Sequence, residues 1–448
     1  MDISNEPRIL AATVLSRVEK HQAYANIAFD AIATSSRIPS TVKNLGKELV
    51  FGVLRNRSRL EEIVSQFLKL PLRKSHPTVR YHLLIATYQL LYLDNIPDGF
   101  VVDRAVEIVK LSLGSSPASF VNAVLHQVLK NRPFSVDSSL SETQRIEQEL
   151  SFPPWIARVI MDSAPEGEAY DLARALNQRS RSILRTNTLK NDREALLVKL
   201  AEQFPDATFQ PTEFSPNGIE ALGMGDPIRQ PLHREGYYLI QDASSQLIAP
   251  FVAVTPGARV LDACAGTGGK TLHMAALMEN QGSILSVDLK QSKMDALEQR
   301  AARVGTTIVK TRAMDLLTTT PEGTFSHILL DAPCSGLGVL RRHPEAKWRI
   351  APEEIGDLVT LQRSLLERMV PLLESGGTLV YVVCTFNHEE TFHQINGFLE
   401  RHPDFILDSA PKWSPIDWGP LTNDQGCLTI WPQRHNGDGF FAARLIRR

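Results

Sequence analysis

The chain has 448 residues, 43% of them hydrophobic, which is enough for about three domains with separate cores. Lys and Arg total 48 against 50 for Asp and Glu, so no overall basic field advertises nucleic acid, and any polyanion must meet a local patch. Four cysteines (Cys264, Cys334, Cys384, Cys427) without CxxC spacing, 12 scattered histidines and no apolar run of about 18 residues exclude a disulfide scaffold, a spaced metal site and a membrane helix.

From Pro7 to about Lys130, apolar residues recur at three- and four-residue spacing in ILAATVLSRVEK, LGKELVFGVLRNRSRLEEIVSQFL and VRYHLLIATYQLLYL, which predicts helices. Breakers at 38–40, 70–77 and 94–99 divide them into a bundle, and an all-α domain is expected over 1–135. Its Arg8, Arg55, Arg57, Arg59, Arg73, Lys74 and Arg80 suit either phosphate contacts or a solvated helix face. The polar, Ser-rich stretch 132–150 reads as a linker. A small α+β middle domain is expected over 151–245, where Arg179, Arg181, Arg185 and Lys190 suit phosphate or base contacts or, equally, a salt-bridged surface.

Over 246–448 strands alternate with helices. RVLDAC, SILSVDL, TTIVKTRAMD, SHILLDAP, TLVYVVC and FFAARLI are strand-like, with KTLHMAALMEN, KMDALEQRAARVG and EEIGDLVTLQRSLLERMVPLLE between them. That alternation marks an α/β, Rossmann-like parallel sheet with crossover helices. After its first strand, VLDACAGTGGKT carries Gly266, Gly268 and Gly269, which let the backbone turn tightly before a helix N-terminus. Asp288, about 20 residues on, is placed for ribose hydroxyls. Asp315 and Asp331 add carboxylates at strand ends on the edge where such sheets bind ligands. Cys334 and Cys384 end two further strands there; one such cysteine alone is more often core, but two on one ligand edge point to thiol chemistry. Cys264 and Cys427 are given no chemical step.

These pieces resemble the RNA cytosine-C5 methyltransferases of the bacterial RsmB (Sun/Fmu) family, which act on 16S ribosomal RNA. The resemblance runs through RILAATVL, ELVFGVLRNR, YQLLYLDNIP and FVNAVL in a NusB-like helical domain. It continues through LRTNTLK, EGYYLIQDASSQL, LDACAGTGGKT, LDAPCSGLGVLRRHPEAKW and the cysteine strand. It implies a class I methyltransferase sheet with S-adenosyl-L-methionine held by Cys264, Ala265, Gly266, Thr267, Gly268, Gly269, Lys270, Asp288, Asp315 and Asp331. It also implies that Cys384 adds to C6 of cytosine, that Cys334 assists loss of the C5 proton and release, that Asp331 contacts the base edge, and that Lys270 orients neighbouring carboxylates. The chain departs from the family pattern CAAPGGKT at Gly266 and Thr267, which frees φ where proline would fix it, and reads VVCTF at the second cysteine.

The partner implied is 16S rRNA with its cytosine accessible or flipped out, met by a cytoplasmic monomer without metal. Three alternatives stand beside this reading. The same chemistry on transfer RNA or another rRNA position keeps the cysteines. A non-catalytic RNA-binding scaffold has no use for them, and a nicotinamide oxidoreductase calls for GxGxxG where this chain has GTGGK.

Overall fold

A computed structural model of the protein describes residues 6–35, 38–135, 139–411 and 414–448. Residues 136–138 of the expected linker, and 1–5, 36 and 37 of the expected helical domain, lie outside them. The chain divides into two compact units, 1–177 with 340–350, and 178–339 with 351–448.

The first unit is helical: α1 (Pro7–His21), α2 (Ala25–Ser35), α3 (Ser40–Arg55), α4 (Arg57–Ser65), α5 (Pro77–Tyr92), α6 (Asp98–Leu113) and α7 (Ser115–Lys130), then α8 (Glu142–Gln148), α9 (Pro154–Ser163) and α10 (Ala169–Leu176). In α1 the buried Leu10, Ala11, Val14, Leu15 and Val18 follow the three- and four-residue spacing of one helix face. Helix α5 is buried on nearly every side from Val79 to Leu90, because it runs through the middle of the bundle rather than along its surface. Helix α8 falls inside the stretch read as a linker. Ser141 caps it, with Gln144 reaching back to the cap, a capping box that the SETQ sequence spells out.

The second unit starts with β1 (Ile183–Thr186), α11 (Arg193–Gln203), β2 (Thr208–Pro211), β3 (Gly218–Leu222), α12 (Pro231–Arg234) and β4 (Tyr238–Ile240). Its four strands form an antiparallel sheet in the order β2-β3-β1-β4, packed on α11 through Leu184, Leu196, Leu200 and Ile219. Then come α13 (Ala243–Val252), β5 (Arg259–Ala263), α14 (Gly269–Leu277), β6 (Ser283–Asp288), α15 (Gln291–Val304), β7 (Val309–Ala313) and β8 (Phe325–Asp331). The short α16 (Ala346–Arg349) belongs to the first unit. The chain ends with α17 (Glu353–Met369), β9 (Leu373–Val383), α18 (Phe392–Arg401), β10 (Phe405–Asp408), β11 (Leu428–Ile430), α19 (Pro432–His435) and β12 (Phe440–Arg447).

The large sheet has eight strands in the order β10-β12-β9-β8-β5-β6-β7, with β11 added on β12. Strands β5 to β9 are parallel and β12 closes antiparallel on β9. Since β9 is covered on both faces, LVYVV reads as a continuous apolar run instead of alternating. The chain proceeds from β5 to β6 and β7 on one side, then crosses to β8 on the other side of β5. This reversal between β5 and β8 opens a crevice at their carboxyl ends. Among the described residues, no helix is long and apolar enough to cross a membrane.

Candidate active site

The loop after β5 enters through Cys264 at φ 63° and turns through Gly266 at φ 59° and Gly268 at φ 83°. Ala265 N donates to Val287 O at 2.8 Å and Gly268 N to Ala265 O at 3.0 Å, which fastens the loop to β6. A Cβ on Gly268 would come within 2.0 Å of Leu297 Cδ1, so only glycine lets α15 pack there. A Cβ on Gly266 would meet nothing within 4 Å, so this side of the loop is open for a ligand to lie against the backbone. Thr267, where the family pattern has proline, is held from α15: Arg300 Nη1 donates to its Oγ1 at 2.8 Å and its carbonyl at 3.3 Å.

At the end of β6, the buried Asp288 accepts from Gly266 N at 3.1 Å, Lys290 N at 3.1 Å and Lys293 Nζ at 2.9 Å. A carboxylate has about four acceptor positions, so one remains for a further donor. The half-buried Asp315 lies just beyond β7 and accepts from Leu317 N at 2.9 Å, while Met314 N bonds to Asp288 O at 3.0 Å and keeps the two strand ends adjacent.

Across the switch point, Lys270 Nζ meets Asp331 Oδ2 at 2.6 Å. Burial disfavours the ammonium, but the charge and hydrogen bond of Asp331, helped by Cys384 and Asp262, hold its pKa above the ordinary lysine value. Cys334, on the loop after β8, and Cys384, directly after β9, bring their sulfurs to 3.4 Å. Gly338 N donates to Cys384 O at 3.0 Å and ties the two loops together. The hydrogen bond to Cys384, then burial and the neighbouring charges of Cys384 and Glu390, push the Cys334 pKa well up. Burial pushes Cys264 and Cys427 each to about 12, which makes both poor nucleophiles near neutrality.

Two features of this edge were missed by sequence reasoning. Asp262, inside β5, is buried with Thr271 Oγ1 donating to Oδ2 and no partner on Oδ1, and burial pushes its pKa up to about 7. Glu390, beyond the second cysteine, is enclosed by donors from three segments. Asp262 sits in a strand run and Glu390 in a polar loop, and only contacts between distant parts of the chain reveal either.

Several basic residues proposed as phosphate contacts are occupied elsewhere. Arg185 is 2% exposed and donates to Gly269 O at 2.6 Å and to Gln241. Lys190 binds the carbonyls of Glu235 and Arg303, and Arg181 pairs with Glu220 at 2.6 Å. In the first unit Arg8 pairs with Glu6, Arg57 with Glu61, Arg80 with Glu19, and Arg59 donates to Phe134 O. Arg73 and Lys74 are exposed on the turn Leu72–Lys74.

Comparison with known proteins places this geometry in a group. Residues 249–446 match the family described as 16S rRNA methyltransferase RsmB/F, residues 5–130 the NusB family, and residues 152–223 the ferredoxin-like domain of RsmF/B-like methyltransferases. Over 445 residues the chain is 34% identical to the probable ribosomal RNA small subunit methyltransferase B of Bacillus subtilis (strain 168), with 98% of each chain covered. The chain belongs to the RsmB family. Another family member, from Synechocystis sp., is 32% identical, again over 98% of each chain. The RsmB-family fold is also that of the crystal structure of PH0851, 24% identical with a TM-score of 0.82 over 98% of this chain and 99% of that one. NSun6 from Pyrococcus horikoshii with SFG, an S-adenosylmethionine analogue, shares the fold at 19% identity and a TM-score of 0.58, covering 65% of this chain and 97% of its own. The RsmB architecture here is a NusB-like helical domain, a small middle domain and a methyltransferase sheet.

Proposed function

We propose that this RsmB-family chain transfers a methyl group from S-adenosylmethionine to C5 of a cytosine in 16S rRNA, with Cys384 adding covalently to C6. The observation that carries the reading is the 3.4 Å approach of two thiols beside the Lys270 and Asp331 ion pair. The open face of Gly266, the spare acceptor position of Asp288 and the neighbouring Asp315 fit a nucleoside cofactor against the loop 264–270. When bound, that cofactor supplies the methyl group as an electrophile.

The work of the protein side chains is set by aromatic chemistry. C5 of cytosine is a weak nucleophile until the Cys384 sulfur bonds to C6 and pushes the C5–C6 electrons toward C5. Asp331 Oδ2 is taken by Lys270, which leaves Oδ1 to stabilise the proton that passes from the Cys384 thiol to N3, through water, as C6 is attacked. After methylation C5 still carries its hydrogen. Once Cys384 is bonded to C6, the hydrogen bond and charge that hold the Cys334 proton are gone, so Cys334 releases it to water and, as thiolate, takes the C5 proton while the bond from Cys384 to C6 breaks. N3 returns its proton to the Cys384 thiolate, which restores the ring and frees the enzyme. The exposed Arg73 and Lys74 of the helical unit supply phosphate contacts that steer the RNA.

Labelled methyl transfer to 16S rRNA, transfer RNA and small subunits, with nucleoside analysis, tests the reading. The expected product is 5-methylcytidine in 16S rRNA; label in transfer RNA alone would move the substrate. No label from protein that binds both cofactor and RNA would remove the enzymatic reading. Cys384→Ala should abolish transfer with RNA binding retained, and Cys334→Ala should accumulate a covalent RNA adduct. Full turnover by both variants would refute the cysteine chemistry.

A further inference from the structure

The two thiols stand on separate loops, and addition followed by elimination requires both loops to keep one spacing. Between them lies a single buried carboxylate. Glu390 is 0% exposed, and its Oε1 accepts from Ser335 N at 2.8 Å and from Gln362 Nε2 at 2.8 Å. Its Oε2 accepts from Ser335 Oγ and from Asn387 Nδ2. Ser335 directly follows Cys334, and Asn387 lies on the loop that begins with Cys384. Thr385, next to Cys384, joins the same cluster: its hydroxyl is 3.0 Å from that of Ser335 and accepts from Asn387 Nδ2 at 3.2 Å. Gln362 of α17 also donates to Pro333 O at 2.9 Å, which fixes the Cys334 loop from its other side.

We infer that Glu390 is a positioning residue for methyl transfer, a buried carboxylate that sets the spacing of Cys334 and Cys384 by taking hydrogen bonds from both of their loops. The inference rests on the cysteine mechanism proposed above. The donor set explains why the group must be a carboxylate. Four donors converge on two oxygens, and an acceptor-only group satisfies all of them, whereas an amide would turn its own N–H bonds against a neighbouring donor. Hydrogen bonds from neutral donors, two of them from the Cys334 loop, replace the hydration this carboxylate loses on burial. Its hydrogen bonds run to Ser335, Gln362 and Asn387, not to a sulfur. It acts through Ser335 and Asn387, so its loss should slow the chemistry without weakening ligand binding.

The test uses the full-length protein with S-adenosylmethionine and 16S rRNA. Glu390→Gln should lower kcat by about ten- to hundredfold, as expected for one misdirected and one lost buried hydrogen bond, with the KM for both ligands nearly unchanged. In a Cys334→Ala background, the same substitution should slow covalent adduct formation by a similar factor. Ser335→Ala, which keeps the N–H donor and removes the hydroxyl, is a milder variant for which folding is less in question. It should lower kcat several-fold, and the double variant should lose no more than Glu390→Gln alone because both act on one cluster. A wild-type kcat in Glu390→Gln, a loss confined to KM, or additive losses in the double variant would each overturn the inference. Cys384→Ala serves as the separating control: if it stays active the cysteine mechanism itself fails, and if it is inactive while Glu390→Gln is unimpaired only the role of Glu390 fails.

Discussion

Lys347 in the first unit is buried and Lys270 in the second is half-buried, and both lie over aromatic rings, but Lys270 meets a carboxylate at 2.6 Å, whereas Lys347 hydrogen-bonds only neutral oxygens. Lys347 Nζ donates to Arg55 O at 2.7 Å, Ser151 O at 2.8 Å and Asn177 Oδ1 at 3.0 Å, and lies 4.2 Å from the centre of the Phe152 ring. Burial, then the charge of Arg55, pushes its pKa well down, while the Asp331 charge prevails over burial at Lys270 and raises that group. The difference separates two uses of the same side chain. Lys347 spends its donors on three fixed acceptors and holds a structure together. Lys270 is paired with a partly exposed acid at the carboxyl edge of the sheet, where the charge of the pair stays in reach of solvent.

The sharpest way to break this comparison is Lys347→Ala. It strands two carbonyls and an amide oxygen in the interior, and should cost about 3–5 kcal/mol of stability, read as a lowered urea midpoint. Activity per folded molecule should hold. If the rate fell instead with stability unchanged, the structural assignment of Lys347 would be wrong.

Asp262 supplies a buried charge without an ion partner in the same unit as Lys270. Its pKa in the folded protein is raised from 3.8 to about 7, so the folded state binds more protons than the unfolded state between these values. Its ionisation therefore costs nothing below about pH 4, destabilises progressively as pH rises to about 7, and has its full effect above. Asp262→Asn should be more stable than wild type at pH 8, by a margin of a few kcal/mol at most that shrinks toward pH 4. Urea midpoints of both proteins at pH 5 and pH 8 check this; an equal difference at both values would contradict it.

A smaller effect, and one of rate, is expected for Lys270→Met. Leaving Asp331 unpaired should reduce kcat about ten- to hundredfold, with a stability change below that of Lys347→Ala. The smallest effect concerns the loop 264–270. Arg300→Ala releases Thr267 and should weaken S-adenosylmethionine binding about fivefold or less, because exposed hydrogen bonds contribute about 1 kcal/mol. Calorimetric titration reads that change directly.

The sequence made the sheet edge legible because each of its groups sits at a strand end. The loop glycines, Asp288, Asp331 and both cysteines come directly after apolar runs, and parallel strands deliver the residues at their carboxyl ends to one edge. The arginines were less legible. Arg8 pairs with Glu6 only two residues away, but nothing local to Arg185 tells that the Gly269 carbonyl, 84 residues on, will take it. Glu390 stood in a polar loop whose donors come from 28 and 55 residues away. Lys347 belonged to a motif, RRHPEAKW, whose neighbours suggested the methyltransferase unit, yet it donates to the last residue of α3, to Ser151 before α9 and to Asn177 just after α10. Only α8 was written plainly and overlooked, since its capping box is local.

The excursion 340–350 makes the helical bundle a two-piece assembly. Trp348 Nε1 donates to Leu54 O at 2.7 Å and Glu345 accepts from Ala25 N at 3.0 Å, so that peptide packs against the bundle's core although it is translated well after the rest. A fragment ending at Asn177 should accordingly behave as a receptor for the free peptide 340–350, gaining stability as peptide is added, in the manner of a split protein restored by its missing piece.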